Sequence, residues 1–554
     1  MTRRSTAGPV DDPAPERFDA VVVGAGAGGL TVAIGLARIG RQVALVEGGA
    51  VGGDCTNVGC IPSKTLLGLA ARLRATGLTP GSTAWAEAAA GALAEVRRRR
   101  DALRAHETAQ LGAEPRLELI RGRGRLAAAG LVEVATATGV RRLHSPRVVL
   151  ATGAQATTIA LPGLPPERSL TNVELFELQR PPDHLAVLGG GPIGVEMATA
   201  FARLGSRVTL IEALPRLLQS AEPEASDLAA RSLGRLGVDM RVGVRAVGYD
   251  ERSGTLTLSP SGADRDAAGA SAAAPVTGVD RVLQAVGRRP AVDDLAAVPG
   301  GLPALGIRVG RLGIVTDRAH RTSLRGVYAI GDVTERAKFT HAANAQGRRL
   351  VRHLTAPWLP LVAEGDYPAA TFAEPEVAQI GAPLAELRRR VHPAMIVSHR
   401  VALADLDRGL VTGLEEGFVL LHARRLSGRL LSATVVGPHA SELIQLLTWM
   451  QRRRGSLWQL SRHVVAYPAL AEGIKRAADA FVFATLPALP RELATYLRYR
   501  WRRPPAAGGG EAVGATAGGS APASTTDAVT DAAPPADAGA TTDAAATEPA
   551  DRDR

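Results

Sequence analysis

The only two cysteines of this 554-residue chain share one loop, Gly52-Gly53-Asp54-Cys55-Thr56-Asn57-Val58-Gly59-Cys60-Ile61-Pro62-Ser63-Lys64. Thiols so close in sequence can close a small, labile ring, which offers reversible disulfide chemistry and is no framework for a stapled secreted fold. Pro62 and Ser63 suit a helix start, so Cys60 is expected at a helix N-terminus. The partial positive charge there stabilises a thiolate and lowers its pKa below the ~8.5 of a free thiol. A metal half-site and two unrelated buried thiols are the other readings of this spacing. A closed structural metal site needs further Cys or His ligands, so none is expected.

Two glycine-rich turns flank this loop. The first, Val21-Val22-Val23-Gly24-Ala25-Gly26-Ala27-Gly28-Gly29, precedes an amphipathic stretch and then the strand Gln42 to Val46, which ends in Glu47. Gly24 makes the tight turn, Gly26 lets backbone N–H groups approach a pyrophosphate, and Gly29 lets helix and strand pack closely. Glu47 is placed to accept from a ribose hydroxyl. The second, Val187-Leu188-Gly189-Gly190-Gly191-Pro192-Ile193-Gly194, repeats the pattern, with Val208 to Ile211 as its strand and Glu212 as its acid. Gly189, Gly191 and Gly194 therefore mark a second dinucleotide site. Glu212 stands where a 2′-phosphate would sit and favours NADH over NADPH by charge repulsion, a preference that Arg216 softens.

The elements that must position these groups alternate as apolar strands, Gly-rich turns and Ala/Leu helices from Phe18 onward, which predicts a parallel sheet covered on both faces. Thr83 to Gln110 reads as a helix whose four-arginine run, Arg97 to Arg100, is a solvated face. Asp250 to Val276 holds a Ser/Gly/Ala-rich surface insertion. After Pro357 the pattern becomes an α+β domain with strands at Thr371 to Ile380, Gly417 to His422 and Leu430 to Val436.

Lys+Arg number 65 against 54 Asp+Glu, a net +11, yet only Lys64, Lys338 and Lys475 are lysines. Residues 505–554 hold eight acids against two arginines, a net −6, which leaves +17 for the rest. A nucleic-acid surface would need those arginines clustered among aromatics, and aromatics are 3% of the chain, so no nucleic-acid partner is expected. The uncharged stretch Ala20 to Ala37 is interrupted by five glycines, so neither a membrane span nor a signal peptide is read there. The expectation is a cytoplasmic protein without stable membrane insertion.

The Cys-x4-Cys-x3-Lys loop after the first fingerprint resembles the flavoprotein disulfide reductases, a family that includes dihydrolipoyl dehydrogenase, glutathione reductase and mercuric reductase. Further likenesses run from about Phe18 to about Phe483. Ala151-Thr152-Gly153 resembles the strand end that closes on the flavin. Gly326-Val327-Tyr328-Ala329-Ile330-Gly331-Asp332 resembles the second flavin motif, with Asp332 on the ribityl chain. Ala285-Val286-Gly287-Arg288-Arg289-Pro290 resembles the return from the NAD domain, and Thr371-Phe372-Ala373-Glu374-Pro375-Glu376 the opening of the dimerisation domain. The resemblance implies an α/β fold with two Rossmann-like FAD and NAD(P) binding domains plus a C-terminal α+β dimerisation domain. The divisions expected are a flexible arm (1–17), the first part of the FAD domain (18–155), the NAD(P) domain (156–284), the second FAD part (285–356), the dimerisation domain (357–485), a basic helix (486–503) and a disordered acidic tail (504–554), the arm and the tail being read from composition, not from the resemblance.

It also implies an FAD-containing, NAD(P)H-dependent oxidoreductase acting as a homodimer. Cys60 becomes the flavin-proximal thiol that forms the charge-transfer contact, and Cys55 the interchange thiol that meets the acceptor. Lys64 is expected to pair with Glu196 near the flavin N5. In the dithiol-reducing members the partner subunit supplies a His-Pro and, five residues after the His, a Glu. Here the stretch is Tyr467-Pro468-Ala469-Leu470-Ala471-Glu472, so the Glu is present and the His is not. A phenol with a reference pKa of ~10 is a poor base near neutrality, where imidazole at ~6.5 is well placed. Mercuric reductases carry tyrosine at this position, but they also deliver Hg(II) through a C-terminal cysteine pair, and this chain has no cysteine after Cys60. The acceptor is expected to be a soft metal ion whose only thiol ligands are Cys55 and Cys60, with Tyr467 and Glu472 completing the catalytic set. A dithiol, as in dihydrolipoyl dehydrogenase, and a quinone are the alternatives. His341 reads as structural and His463 as a packing residue. Arg491 to Arg503, with Tyr496, Tyr499 and Trp501, reads as a solvated helix end, with contact to a membrane surface or a partner as the alternative.

Overall fold

The structure, a computed structural model, describes residues 14–262, 273–361 and 364–504. The tail read from 504 onward lies outside these except for Pro504, as do residues 1–13 of the N-terminal arm and 263–272 of the insertion.

Near-continuous Val/Ala/Leu runs become the strands of two all-parallel sheets, as expected where both faces are covered. In the first, Val327–Ala329, Val148–Leu150, Ala20–Val23, Val43–Glu47 and Leu117–Arg121 lie side by side in that order. In the second, the order is Ser169–Leu170, Arg281–Gln284, His184–Leu188, Arg207–Glu212 and Asp239–Val242. Each fingerprint strand therefore sits at the centre of its sheet, next to the strand that carries its acid. A third sheet is antiparallel, ordered Ala369–Thr371, Glu376–Ile380, Leu430–Gly437, Phe418–Arg424 and Ile396–Ala402. The single strand expected over Thr371 to Ile380 is thus two, separated at the Glu374–Pro375 bond, because proline cannot donate to a sheet ladder.

Other elements differ from the sequence reading. Glu16–Arg17 is not loose arm but an edge strand paired with Gly139–His144. Thr255–Pro260, inside the expected insertion, forms a hairpin with Val244–Asp250. The long helix Thr83–Gly112 turns only half of its arginine run to solvent. Arg98 and Arg99 pair with Glu95, whereas Arg97 donates to Leu178 O at 2.6 Å and Arg100, 7% exposed, pairs with Asp101 and Glu177. Positions three apart share a helix face, so these two arginines reach inward together.

The helix Cys60–Arg74 joins the halves of the site. Leu66, Leu67, Ala70 and Leu73 recur at helical spacing and pack in one cluster with Val195, Met197, Ala198 and Phe201 of the helix Pro192–Leu204. Trp85 caps the arrangement, its Nε1–H donating to Leu204 O at 2.8 Å. Lys64, one turn into the first helix, is thereby brought beside Glu196 near the start of the second. Among the described residues, no helix is long and apolar enough to cross a membrane.

Candidate active site

The two fingerprints have the same geometry. Gly24 has φ 105°, and a Cβ there would lie 2.5 Å from Ala151 O; Gly189 has φ 107°, and its Cβ would lie 2.5 Å from Ala285 O. A Cβ on Gly29 would meet Gly24 O at 1.9 Å and one on Gly194 would meet Gly189 O at 1.8 Å, so only glycine lets each helix sit against its strand. Gly26 and Gly191 cap the following helices with no side-chain bond to the first turn, which leaves those N–H groups facing outward as an anion site. The acids end their strands in the same way. Glu47 accepts from Ala25 N and Gly49 N, both at 2.6 Å, while Glu212 accepts from Gly190 N at 2.5 Å and Leu214 N at 2.7 Å. Arg216 is turned back to Gln219 O at 3.1 Å.

A cavity of about 1710 Å³ opens in front of the first fingerprint. Gly24, Gly26, Glu47, Cys55, Cys60, Lys64, Thr152, Gly153, Glu196, Gly287 and Asp332 all line it. Gly29 lies behind the turn, and Gly189, Gly191, Gly194 and Glu212 lie outside the wall, to which their helix contributes Pro192, Ile193 and Met197. Thr152 Oγ1 donates to Ala291 O at 2.9 Å, and Gly153 O accepts from Ala291 N at 3.0 Å, which fixes the strand end against the returning segment. Burial pushes the Asp332 carboxyl up from its ordinary value, against the opposing pull of Arg288 and Lys338. A glycine-lined turn with free helix N–H groups, an acid at the next strand end and a deep adjoining cavity are what FAD requires, and the residues present fit it.

Cys60 is the first residue of the helix Cys60–Arg74, after the Gly59 cap, and Cys55 sits in the short helix Gly53–Asn57. Both carry free thiols here, the reduced form of the pair. Cys55 donates a hydrogen bond to Cys60, which lowers the Cys60 pKa to about 6, with further help from Thr340, whose Oγ1 is 3.6 Å from its sulfur, and from the Lys64 charge. The same bond and burial push Cys55 up, so the pair holds one proton, on Cys55. Above pH ~6 Cys60 is therefore a thiolate, and it is lost as pH falls through that value. Alkylation of Cys60 in reduced protein is expected to follow a midpoint near 6. Cys55→Ala should raise the midpoint, and Thr340→Val should raise it less. Identical pH profiles in all three proteins would contradict the assignment.

Lys64 Nζ lies 2.7 Å from Glu196 Oε2. The other oxygen, Oε1, accepts from Phe372 N at 3.0 Å, and the ammonium sits 4.8 Å from the Phe372 ring centroid. Phe372 belongs to the turn that opens the antiparallel region, so this contact ties three segments together. Arg288 does likewise, pairing with Asp54 beside Cys55 while donating to Ala154 O at 2.6 Å. Phe372, Thr340, Asp54 and Lys338 were not singled out as site residues. Of these, Asp54 lies within the cysteine loop and Phe372 within the Thr371 to Glu376 motif noted above, and nothing local marks a role for either. His341, read as structural, is on the cavity wall stacked on Phe339 at 5.2 Å, and burial lowers its pKa.

Tyr467 and Glu472 lie apart from the cavity. Tyr467 is 71% exposed, and its hydroxyl pKa is raised by the charge of Asp407 and a hydrogen bond to it. Glu472, the first residue of the helix Glu472–Thr485, is near Arg476 at 3.5 Å, and its Oε2 is buried without a hydrogen-bond partner. His463 is exposed on the same loop.

Residues 18–347 match the family described as pyridine nucleotide-disulphide oxidoreductase, and residues 367–478 match its dimerisation domain. A dihydrolipoyl dehydrogenase of Chlorobaculum tepidum is 32% identical over 83% of this chain and 96% of its own length. A mercuric reductase of Streptomyces lividans is 32% identical over 84% and 96%. Among solved structures, the Cu(II) complex of the HOCl-induced flavoprotein disulfide reductase RclA from Escherichia coli has a TM-score of 0.72 at 25% identity, covering 84% of this chain and 99% of that one. LpdA from Mycobacterium tuberculosis has the same TM-score at 27% identity, over 84% and 99%.

Proposed function

Because this chain belongs to the pyridine nucleotide-disulphide oxidoreductases, FAD-dependent enzymes that use NAD(P)H, we propose that its Cys55–Cys60 pair passes electrons from NADH to a soft metal ion. FAD supplies the hydride chemistry when bound; the protein supplies position, charge and the thiols. The FAD site takes Gly24, Gly26, Gly29, Glu47, Thr152, Gly153 and Asp332. The nicotinamide dinucleotide takes Gly189, Gly191 and Gly194, with Glu212 disfavouring a 2′-phosphate and Gly287 at the return strand.

In the reduced pair Cys60 holds the negative charge and Cys55 the proton. Oxidation forms one S–S bond, releases that proton and delivers two electrons, which take Hg(II) to the metal or two Cu(II) ions to Cu(I). Two sulfur ligands in reach of one cavity suit such ions. Lys64 pairs with the Glu196 carboxylate and holds it in place beside them.

The observation that carries this acceptor is Tyr467. With Asp407 raising its pKa, the phenol keeps its proton near neutrality and cannot deprotonate a dithiol substrate. Tyr467 and Glu472 reach Cys55 only from the other subunit of a homodimer, for which the dimerisation domain provides. The RclA structure with Cu(II) and the mercuric reductase relative support a metal acceptor. A dithiol acceptor is the second reading, favoured by the dihydrolipoyl dehydrogenase relatives and by Glu472, whose unpartnered oxygen suits an imidazole donor.

Two measurements separate them. Wild-type enzyme should oxidise NADH with Hg(II) or Cu(II) and turn over lipoamide slowly. Tyr467→His should then raise lipoamide turnover by about a hundredfold, the low end of general-base contributions. Ordinary wild-type lipoamide turnover, or no gain in the variant, would defeat the argument.

A further inference from the structure

The C-terminal helix Leu489–Tyr499, beyond the end of the dimerisation match at residue 478, is docked with its apolar side outward. Leu489, Leu493, Leu497 and Trp501 follow one another at intervals of four and form one stripe. All four are exposed, Trp501 at 84%, as are Phe483 and Leu486 in the segment just before the helix. The side facing the body is polar. Glu492 accepts from Arg425 Nη1 at 2.6 and 2.7 Å, and Tyr499 stacks on His392 at 4.6 Å. A surface helix of a globular protein ordinarily does the reverse. Arg491, Arg498, Arg500, Arg502 and Arg503 border the stripe and are exposed. The earlier reading of a solvated helix end accounts for these arginines but not for the leucines.

We infer that this face is a docking surface for an anionic phospholipid bilayer, on which the enzyme lies peripherally without crossing. An apolar stripe with Trp and Tyr at its border and arginines beside it is the make-up of an interfacial helix: leucines enter the acyl boundary while guanidinium groups meet lipid phosphates. Two other occupants fit less well. The acidic segment 505–554 has the complementary charge, but Val513 and Val529 are its only large apolar residues, so it cannot cover the leucines. A second copy of the helix would cover them but would oppose five arginines to five arginines, since the single acid, Glu492, is already held by Arg425.

The test is co-flotation of the full-length, FAD-loaded enzyme with vesicles of phosphatidylcholine alone or mixed with phosphatidylglycerol. Binding is expected only to the anionic vesicles and should weaken in high salt. Leu493→Glu with Leu497→Glu should remove it. Arg498→Gln with Arg502→Gln should weaken it about thirtyfold, as expected for two charges at an anionic surface. NADH-dependent quinone reduction, unchanged in these variants, reports that they fold. Absence of flotation, or flotation that survives the leucine substitutions, overturns the inference. So does binding that appears only after residues 505–554 are deleted, which would make that segment the occupant. A smaller species of the leucine variant in sedimentation, with no vesicle binding by wild type, would assign the face to a second copy.

Discussion

Substituting Cys55 by serine is expected to cut NADH-driven reduction of Hg(II) or Cu(II) by at least about a thousandfold, the scale on which loss of a reacting nucleophile acts. The serine hydroxyl cannot form the S–S bond that releases two electrons, and it is a hard ligand where a soft ion needs thiolate. Cys60 alone keeps a charge but has no partner to oxidise with. Cys60→Ser should be equally damaging, because it removes the same bond from the other side. A quinone acceptor provides the contrast, since it needs no thiol. If the Cys55 variant still reduces the metal at a wild-type rate, the pair is a bystander and the flavin alone is the donor.

The second large effect concerns Lys64. Its removal leaves Glu196, whose side chain is 5% exposed, with only the Phe372 N–H as a partner. Breaking a buried ion pair from one side costs ~3–5 kcal/mol, because the remaining charge is uncompensated. Lys64 is itself 33% exposed, which screens the pair, so about 2–3 kcal/mol is expected for Lys64→Met. Lys64→Met combined with Glu196→Gln should recover most of this, since no charge is then stranded. Chemical unfolding of the four proteins of the cycle measures the coupling directly. A coupling near zero would mean that the contact is incidental. The same experiment bears on assembly of the site, because Phe372 joins this pair to the antiparallel region through Glu196 Oε1.

What was legible in the sequence was local. Gly24, Gly26, Gly29 and Glu47 announce themselves because a tight turn, a helix start and a strand end fall within one short unit, and each step of that unit restricts residue type. Cys60 could be placed at a helix start for the same reason. The Lys64–Glu196 contact spans 132 residues and rested on family resemblance, since spacing alone does not bring the two helices together. Phe372 and Thr340 were missed because their roles arise only where distant segments meet, 176 residues from Glu196 and 280 from Cys60. The inward turn of Arg97 and Arg100 and the outward turn of Leu493 and Leu497 were missed for a related reason. Periodicity reveals that a helix has two faces, but not which face finds a neighbour.

The most direct test is an anaerobic titration of the holoenzyme with NADH, with thiols counted by alkylation. An electron store made of FAD and one disulfide takes up two equivalents per protomer, since each component accepts two electrons. Both cysteines should then become alkylatable after full reduction and neither before it, and Cys55→Ser should take up one equivalent. Wild-type protein that stops at one equivalent, with Cys55 and Cys60 already free, would contradict the account.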